Sequence, residues 1–287
     1  MREPMLDQSG SRRLSRALGA LLAGIPFLAA PPNPDGIDFR SVTLMLPRLH
    51  PAFSGLRLVH ISDLHINGWL KPADLAEIAV RINALAPDVI AITGDFSSNG
   101  HIADPDGLRA ALQVLQPREI TVAVLGNHDH VARGGPSRLR AILQDSGVLE
   151  LPNRVHTLVR GEARLHLAGV DDLSFRQARL DRVLAELPPD GAAILLAHEP
   201  DFADVSAATG RFDLQLSGHT HGGQVQLPLV GPLLLPRNGR RYVDGLYRAG
   251  GMYVYTNRGL GAGHIPIRVN CRPEVTVFTL LARPEDA

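Results

Sequence analysis

Five short apolar runs in this chain each end on residues of the kind that bind metal ions, and a chain so patterned has few ways to fold. The runs 56–61, 88–93, 120–125, 192–197 and 212–216 have the length and the β-branched content of buried strands. Asp63-Leu64-His65 follows the first, Gly94-Asp95 the second, Gly126-Asn127-His128-Asp129 the third, His198 the fourth, and Gly218-His219-Thr220-His221 the fifth. The separations are 32 residues from Asp63 to Asp95, 32 to Asn127, 71 to His198 and 21 to His219. Sheets in α/β proteins place their sites at the carboxyl ends of strands, so one edge receives all five segments. Between the runs, apolar residues at helical spacing predict helices over 72–86, 107–116 and 137–146. Past His221 the pattern changes to strands and turns, clearest at 252–256 and 275–281.

The residue types narrow the chemistry. Imidazole nitrogen with carboxylate and amide oxygen suits divalent ions of the Mn, Fe and Zn kind. Any one of these motifs alone is usually an ordinary turn. Five in order, each after a strand, are not. Glycines 94, 126 and 218 are expected to let the backbone turn sharply and approach the ions. The remaining histidines, at 50, 60, 101, 130, 156, 166 and 264, are expected at the surface or as satisfied core residues.

In order and spacing these segments resemble the calcineurin-like metallophosphoesterases. The resemblance implies an α/β fold, a four-layer sandwich of two packed mixed β-sheets flanked by helices. It implies two divalent metal ions: one on Asp63, His65, Asp95 and His221, the other on Asp95, Asn127, His198 and His219, with Asp95 as the bridge. A metal-bridging hydroxide is then the expected nucleophile, since bound water is acidified to a pKa of about 7. Two carboxylates against two dications leave net positive charge for an anionic phosphate. His128 is implied to contact the phosphate and assist the leaving group, with Asp129 orienting it. The family often carries Gly-Asp-x-x-Asp, whereas this chain has Gly94-Asp95-Phe96-Ser97-Ser98-Asn99 and lacks the last carboxylate.

The carboxyl-terminal runs 218–224, 228–231, 241–246, 256–261 and 268–276 are similar to the YaeI-type phosphodiesterases, which are bacterial and often associated with the cell envelope. The expected reaction is hydrolysis of a phosphodiester or pyrophosphate. A phosphomonoesterase is the alternative, because the same metal pair serves each. A non-catalytic scaffold would have lost ligands, and none is lost here.

With 287 residues and 45% hydrophobic content, one catalytic domain over 37–287 is expected. Twenty-nine basic residues balance 29 acidic ones, so nothing in the overall charge recruits nucleic acid as a partner. Cys271 is alone, which excludes an intrachain disulfide. Residues 1–36 form a leader: Arg12 and Arg13, which resemble a twin-arginine signal, precede an uncharged apolar stretch over 17–30 and a proline-rich linker. That stretch is too short to span a bilayer, and reads as an export signal or anchor that places the protein in the envelope, with a cytoplasmic location as the alternative. Residues 227–236, Leu-Pro-Leu-Val-Gly-Pro-Leu-Leu-Leu-Pro, are apolar and lead into Arg237, Arg240 and Arg241. Two readings stand: a surface for a lipid-linked substrate, or a hairpin whose leucines pack under the sheet.

Overall fold

The computed structural model describes residues 36–66, 69–131, 135–263 and 266–284, so the leader and His264 lie outside it. The strands are β1 (Asp38–Leu46), β2 (Leu56–Ile61), β3 (Val89–Thr93), β4 (Ile120–Val124), β5 (Val148–Glu150), β6 (Arg154–Arg160), β7 (Ala163–Gly169), β8 (Ala192–Leu196), β9 (Leu214–Ser217), β10 (Gln226–Leu227), β11 (Gly231–Pro232), β12 (Gly245–Ala249), β13 (Met252–Thr256) and β14 (Glu274–Ala282). One sheet has the order β1-β14-β2-β3-β4-β5 and the other β12-β13-β9-β8-β7-β6. Both are mixed: β2, β3, β4 and β5 run parallel, β14 meets β2 antiparallel, and β6 and β12 are the antiparallel edges of the second sheet.

Three apolar layers hold these sheets. Leu58, Val89, Ala91, Val122 and Val124 of the first sheet meet Leu165, Leu167, Ile194, Leu196, Leu214 and Leu216 of the second. The other face of the first sheet packs on helices Pro72–Ala84, Pro105–Gln113 and Ser137–Asp145 through Ile90, Ile92, Ile78, Leu108 and Leu143. Helices Leu180–Glu186 and Ala203–Ala208 cover the second sheet through Val183, Ala203, Ala193 and Leu195. The result is the expected α/β/β/α sandwich. Strands β3 and β8 read as near-continuous apolar runs because both of their faces are covered.

Helix boundaries follow from capping. The second helix starts at Pro105, two residues before the expected Gly107, because the Asp104 carboxylate accepts from the Gly107 amide at 2.9 Å and proline fits the first helical position. Beyond the site, β10 and β11 form a hairpin, but its leucines do not pack under a sheet as one reading expected. Leu229 and Val230 are open to water at 109% and 69% exposure. Only the root is tied down, by the Gln226 side chain on the Gly222 carbonyl (2.7 Å) and Asn270 on the Gln226 carbonyl (3.0 Å).

Among the described residues, the histidines outside the ligand motifs behave as satisfied core or surface residues, with one partial exception. His166 bonds Thr157 and the Asp190 carbonyl, and His130 bonds Asp171. His60 is fully buried with Nε2 on Thr93 Oγ1 (2.8 Å) and Nδ1 unpartnered. Burial holds its imidazole at about 3, below the 6.5 of an unfolded chain. Because the folded value is the lower one, the unfolded chain takes up the proton first. This contribution to stability is therefore present above pH 6.5 and lost as pH falls toward 3, by up to about 1.4 kcal/mol per pH unit. His60→Gln keeps a partner for Thr93 and does not titrate. Its urea midpoint should fall less steeply with pH below 6.5 than that of the wild type; parallel curves would rule His60 out as the sensor.

Candidate metal centre

All five expected segments meet at one end of the sandwich, where β2, β3 and β4 of one sheet face β8 and β9 of the other. The backbone turns sharply as it leaves these strands. Asp63, His65, Asp95, His219 and His221 all have positive φ, between 42° and 74°. For residues other than glycine this left-handed conformation costs on the order of 1–2 kcal/mol each. Five such costs in one place mark strain held for the sake of side-chain aim. The loops after β2 and β3 hold each other in it: the Asp63, His65 and Ile66 amides donate to the Gly94, Asp95 and Phe96 carbonyls at 3.0, 2.8 and 2.9 Å. Of the three glycines expected to turn, only Gly94 has positive φ. Gly218 is needed for space instead, since a Cβ there would overlap Ser62 and the Asp63 carboxylate.

Among the described residues the side chains form two clusters, Asp63, His65 and His221 in one and Asp95, His198 and His219 in the other, and a third grouping of His65, Asp95 and His128 joins them. Asp95 Oδ2 lies 3.4 Å from His65 Nε2 and 3.3 Å from His198 Nε2, one nitrogen from each cluster. His198 Nδ1 donates to the Thr93 carbonyl (2.7 Å) and His219 Nε2 to the Arg237 carbonyl (2.8 Å). Carbonyls only accept, so the other nitrogen of each neutral ring carries a lone pair. Those two nitrogens stand 3.2 Å apart. His65 Nε2 and His221 Nε2 stand 3.1 Å apart. Asn127 Oδ1 is buried without a hydrogen-bond partner. Converging lone pairs, buried carboxylates and an orphaned amide oxygen are a donor set that fits divalent cations.

The buried charges of the cluster are set against one another. Burial pushes the Asp95 carboxyl up, but the His198 and His128 charges and the bonds from His198 and His65 outweigh it, so it lies well below the usual range. Burial works against the His198 imidazolium too, and the charge and bond of Asp95 raise it well above its usual value regardless. His221 goes the other way: burial, then His65 and Arg268, hold it well below the ordinary histidine range, which leaves a neutral ring. Glu199, next to His198 in the chain, accepts from the Ser174 amide and hydroxyl at 2.9 and 2.6 Å and adds negative charge behind the cluster. Burial, followed by the charge of Glu199, pushes the neighbouring Asp172 carboxyl up to about 8.

His128 stands beside the clusters, its ring 4.8 Å from that of His65. The Asn99 amide donates to its Nδ1 at 3.3 Å, which leaves the proton of the neutral ring on Nε2. The position where the family often has a second carboxylate is Ser98, whose Oγ lies 3.5 Å from His65 Nδ1. Asp129 does not reach the His128 ring as expected. Its carboxylate accepts from the Ser97, Gly126 and Phe96 amides at 2.9, 3.0 and 3.3 Å, and so staples the loop after β3 to the loop after β4. A short helix start at Asn127–His130 turns the Asp129 side chain inward toward those amides.

The motif reading missed what supports Asp63. Residues 257–261 run alongside it: the Leu260 and Gly261 amides donate to the Ser62 and Asp63 carbonyls at 2.9 and 2.7 Å. Asn257 ties this segment to the His60 carbonyl and to Thr276. The half-buried Arg268 guanidinium gathers the Arg258, Gly259 and Gly261 carbonyls and lies 3.3 Å from His221 Nδ1. The sequence offered a signal in the runs 256–261 and 268–276, but not the contact that gives them a purpose.

A family model described as calcineurin-like phosphoesterase matches residues 56–223, the span from β2 through the last ligand motif. The chain belongs to the calcineurin-like phosphoesterase family. As a member it is a metallophosphoesterase, a hydrolase acting on phosphoric ester bonds, and its clustered histidines and aspartates are candidate ligands for the divalent metals this family uses. Similar proteins include the uncharacterized metallophosphoesterase YkuE of Bacillus subtilis, 34% identical over 92% of this chain and 93% of that one. Phosphodiesterase YaeI of Escherichia coli is 32% identical over 78% and 82% of the two chains. The UDP-2,3-diacylglucosamine pyrophosphatase LpxG of Chlamydia trachomatis is 25% identical over 83% and 88%.

Proposed function

We propose that the protein hydrolyses a phosphodiester or pyrophosphate at a pair of divalent ions of the Mn, Fe or Zn kind, within a catalytic domain spanning 37–287. The observation that carries this reading is Asp95 Oδ2, placed within 3.4 Å of one imidazole nitrogen of each cluster. Asp63, His65, Asp95 and His221 would hold one ion, and Asp95, Asn127, His198 and His219 the other. Two bound dications would acidify a shared water to the bridging hydroxide expected as nucleophile and draw electron density from the phosphoryl oxygens.

The protein's own part is to aim and to move a proton. The Thr93 and Arg237 carbonyls fix which nitrogen His198 and His219 present. His128, with its proton on Nε2, is the group placed to donate to the departing oxygen. His128→Ala should lower turnover about 10²–10⁴-fold with metal content nearly unchanged. A substrate with a better leaving group should recover much of the rate. Loss of both ions in this variant would make His128 a ligand instead.

The substrate reading extends to a lipid-linked phosphate or pyrophosphate. Similarity to LpxG and the exposed apolar hairpin beside the site support it. The test is metal-dependent hydrolysis of an aryl phosphodiester, an aryl phosphomonoester and a nucleotide-sugar lipid side by side. Preference for the monoester would replace this reading. The leader would direct the protein to the envelope, although no helix among the described residues is long and apolar enough to cross a membrane. Deleting residues 1–34 should then move it to the soluble fraction with specific activity retained. Identical fractionation of both forms would defeat the targeting role.

A further inference from the structure

The tip of the β10–β11 hairpin is built against its own stability in water. The Val230 amide donates to the Leu227 carbonyl at 3.3 Å, closing a four-residue turn with Pro228 and Leu229 at its centre. Leu229 has φ +66°, the position of such a turn that favours glycine or asparagine. It is fully exposed as well, and Leu227, Val230, Leu233 and Leu234 around it are also exposed. A strained backbone and a set of bare aliphatic side chains have no compensation inside the fold.

What would compensate follows from shape and charge. The tip is a two-residue ladder closed by a tight turn, with five exposed aliphatic side chains, rather than a broad sheet or helix face of the kind a stable protein interface buries. Residues 222–241 contain three arginines and no acidic residue. Arg241 pairs with Asp204, while Arg237 and Arg240 lie on the segment that returns from the hairpin to the site. Aliphatic side chains beyond a basic segment match the acyl region and the phosphate headgroups of an anionic bilayer. The hairpin is joined to the metal centre at both ends: His221 precedes it, and the Arg237 carbonyl accepts from His219.

We propose that residues 227–234 form a wedge that docks the protein on an anionic phospholipid bilayer, with Leu229 and Val230 among the acyl chains and Arg237 and Arg240 at the headgroups. This deepens the lipid-linked substrate reading and rests on it for its purpose: docking brings the metal centre to the membrane surface, where such a substrate presents its phosphate.

The test uses the full chain. Leu229→Trp places a reporter at the tip, and the only native tryptophan, Trp69, is buried and serves as the background in the wild type. Vesicles of equimolar phosphatidylcholine and phosphatidylglycerol should blue-shift its emission, and brominated acyl chains should quench it. Because the reporter is local, binding through the leader cannot imitate this result. The double variant Leu229→Gly, Val230→Ser should bind these vesicles at least about tenfold more weakly. Its melting temperature should not fall, since glycine suits the left-handed position. Its turnover of a water-soluble aryl diester should be unchanged. Unaltered tryptophan emission, equal quenching by pure phosphatidylcholine, or undiminished vesicle binding by the double variant would overturn the proposal. So would an emission shift that follows protein concentration without lipid, which would make the tip a contact between copies. Absence of diesterase activity in the wild type would count against the hydrolase reading alone, since vesicle quenching is measured independently.

Discussion

Replacing Asp95 by asparagine is expected to lower turnover by about 10³-fold or more while the protein stays folded. Asparagine preserves the shape and can still accept from the His128 amide, which bonds Asp95 Oδ1 at 2.9 Å. It removes the negative charge from the one oxygen that faces both clusters. Two cations brought to about 3.5–4 Å need that charge between them. Metal analysis of the purified variant should show at least one ion lost per chain. Full metal occupancy with wild-type turnover would remove Asp95 from the bridge.

The second large effect is on stability. Glu274, the first residue of β14, has no exposed side-chain surface and accepts from Arg258 Nε (2.5 Å), Tyr255 (2.6 Å) and Thr276 (2.7 Å). Arg258 also reaches Asp38 at the start of β1, so one guanidinium joins three distant parts of the chain. Arg258→Met leaves the buried carboxylate without its close cation, with only the half-exposed Arg40 at 3.8 Å. The expected cost is about 3–5 kcal/mol, read as a fall in the urea midpoint. Adding Glu274→Gln should recover a large part of it, because the penalty lies in the unpaired charge. A loss below about 1 kcal/mol would class the pair with ordinary surface bridges. Metal affinity should fall with stability in Arg258→Met, since residues 259–261 hold the carbonyls of Ser62 and Asp63 in place.

The candidate site was legible because each candidate ligand follows its strand within two to four residues, so an apolar run and the polar residues after it already place the side chain at a sheet edge. Helices at 72, 105 and 137 were legible from apolar spacing, and their ends moved by one to three residues, at Pro105 because the Asp104 side chain caps the helix. Strands β1, β6 and β7 were not legible. Arg40, Thr43, Arg160 and Arg164 interrupt them, and partners far along the chain, as in β1 on β14, hold them in a sheet.

What the sequence determined by itself is the set of candidate ligands and the order of strands that brings them together, since both depend on residue type and short spacing. Tertiary structure decided what acts across long separations. It gave Asp129 to the amides of 96, 97 and 126 rather than to the His128 ring, and set residues 257–261 against Asp63. It placed Arg268 beside a histidine 47 residues away. It also left the 227–234 hairpin in water, when its composition alone would equally have suited the core. Composition sets how strongly a segment seeks burial. Whether it finds burial depends on which surfaces the rest of the chain has already covered, and no local pattern carries that information.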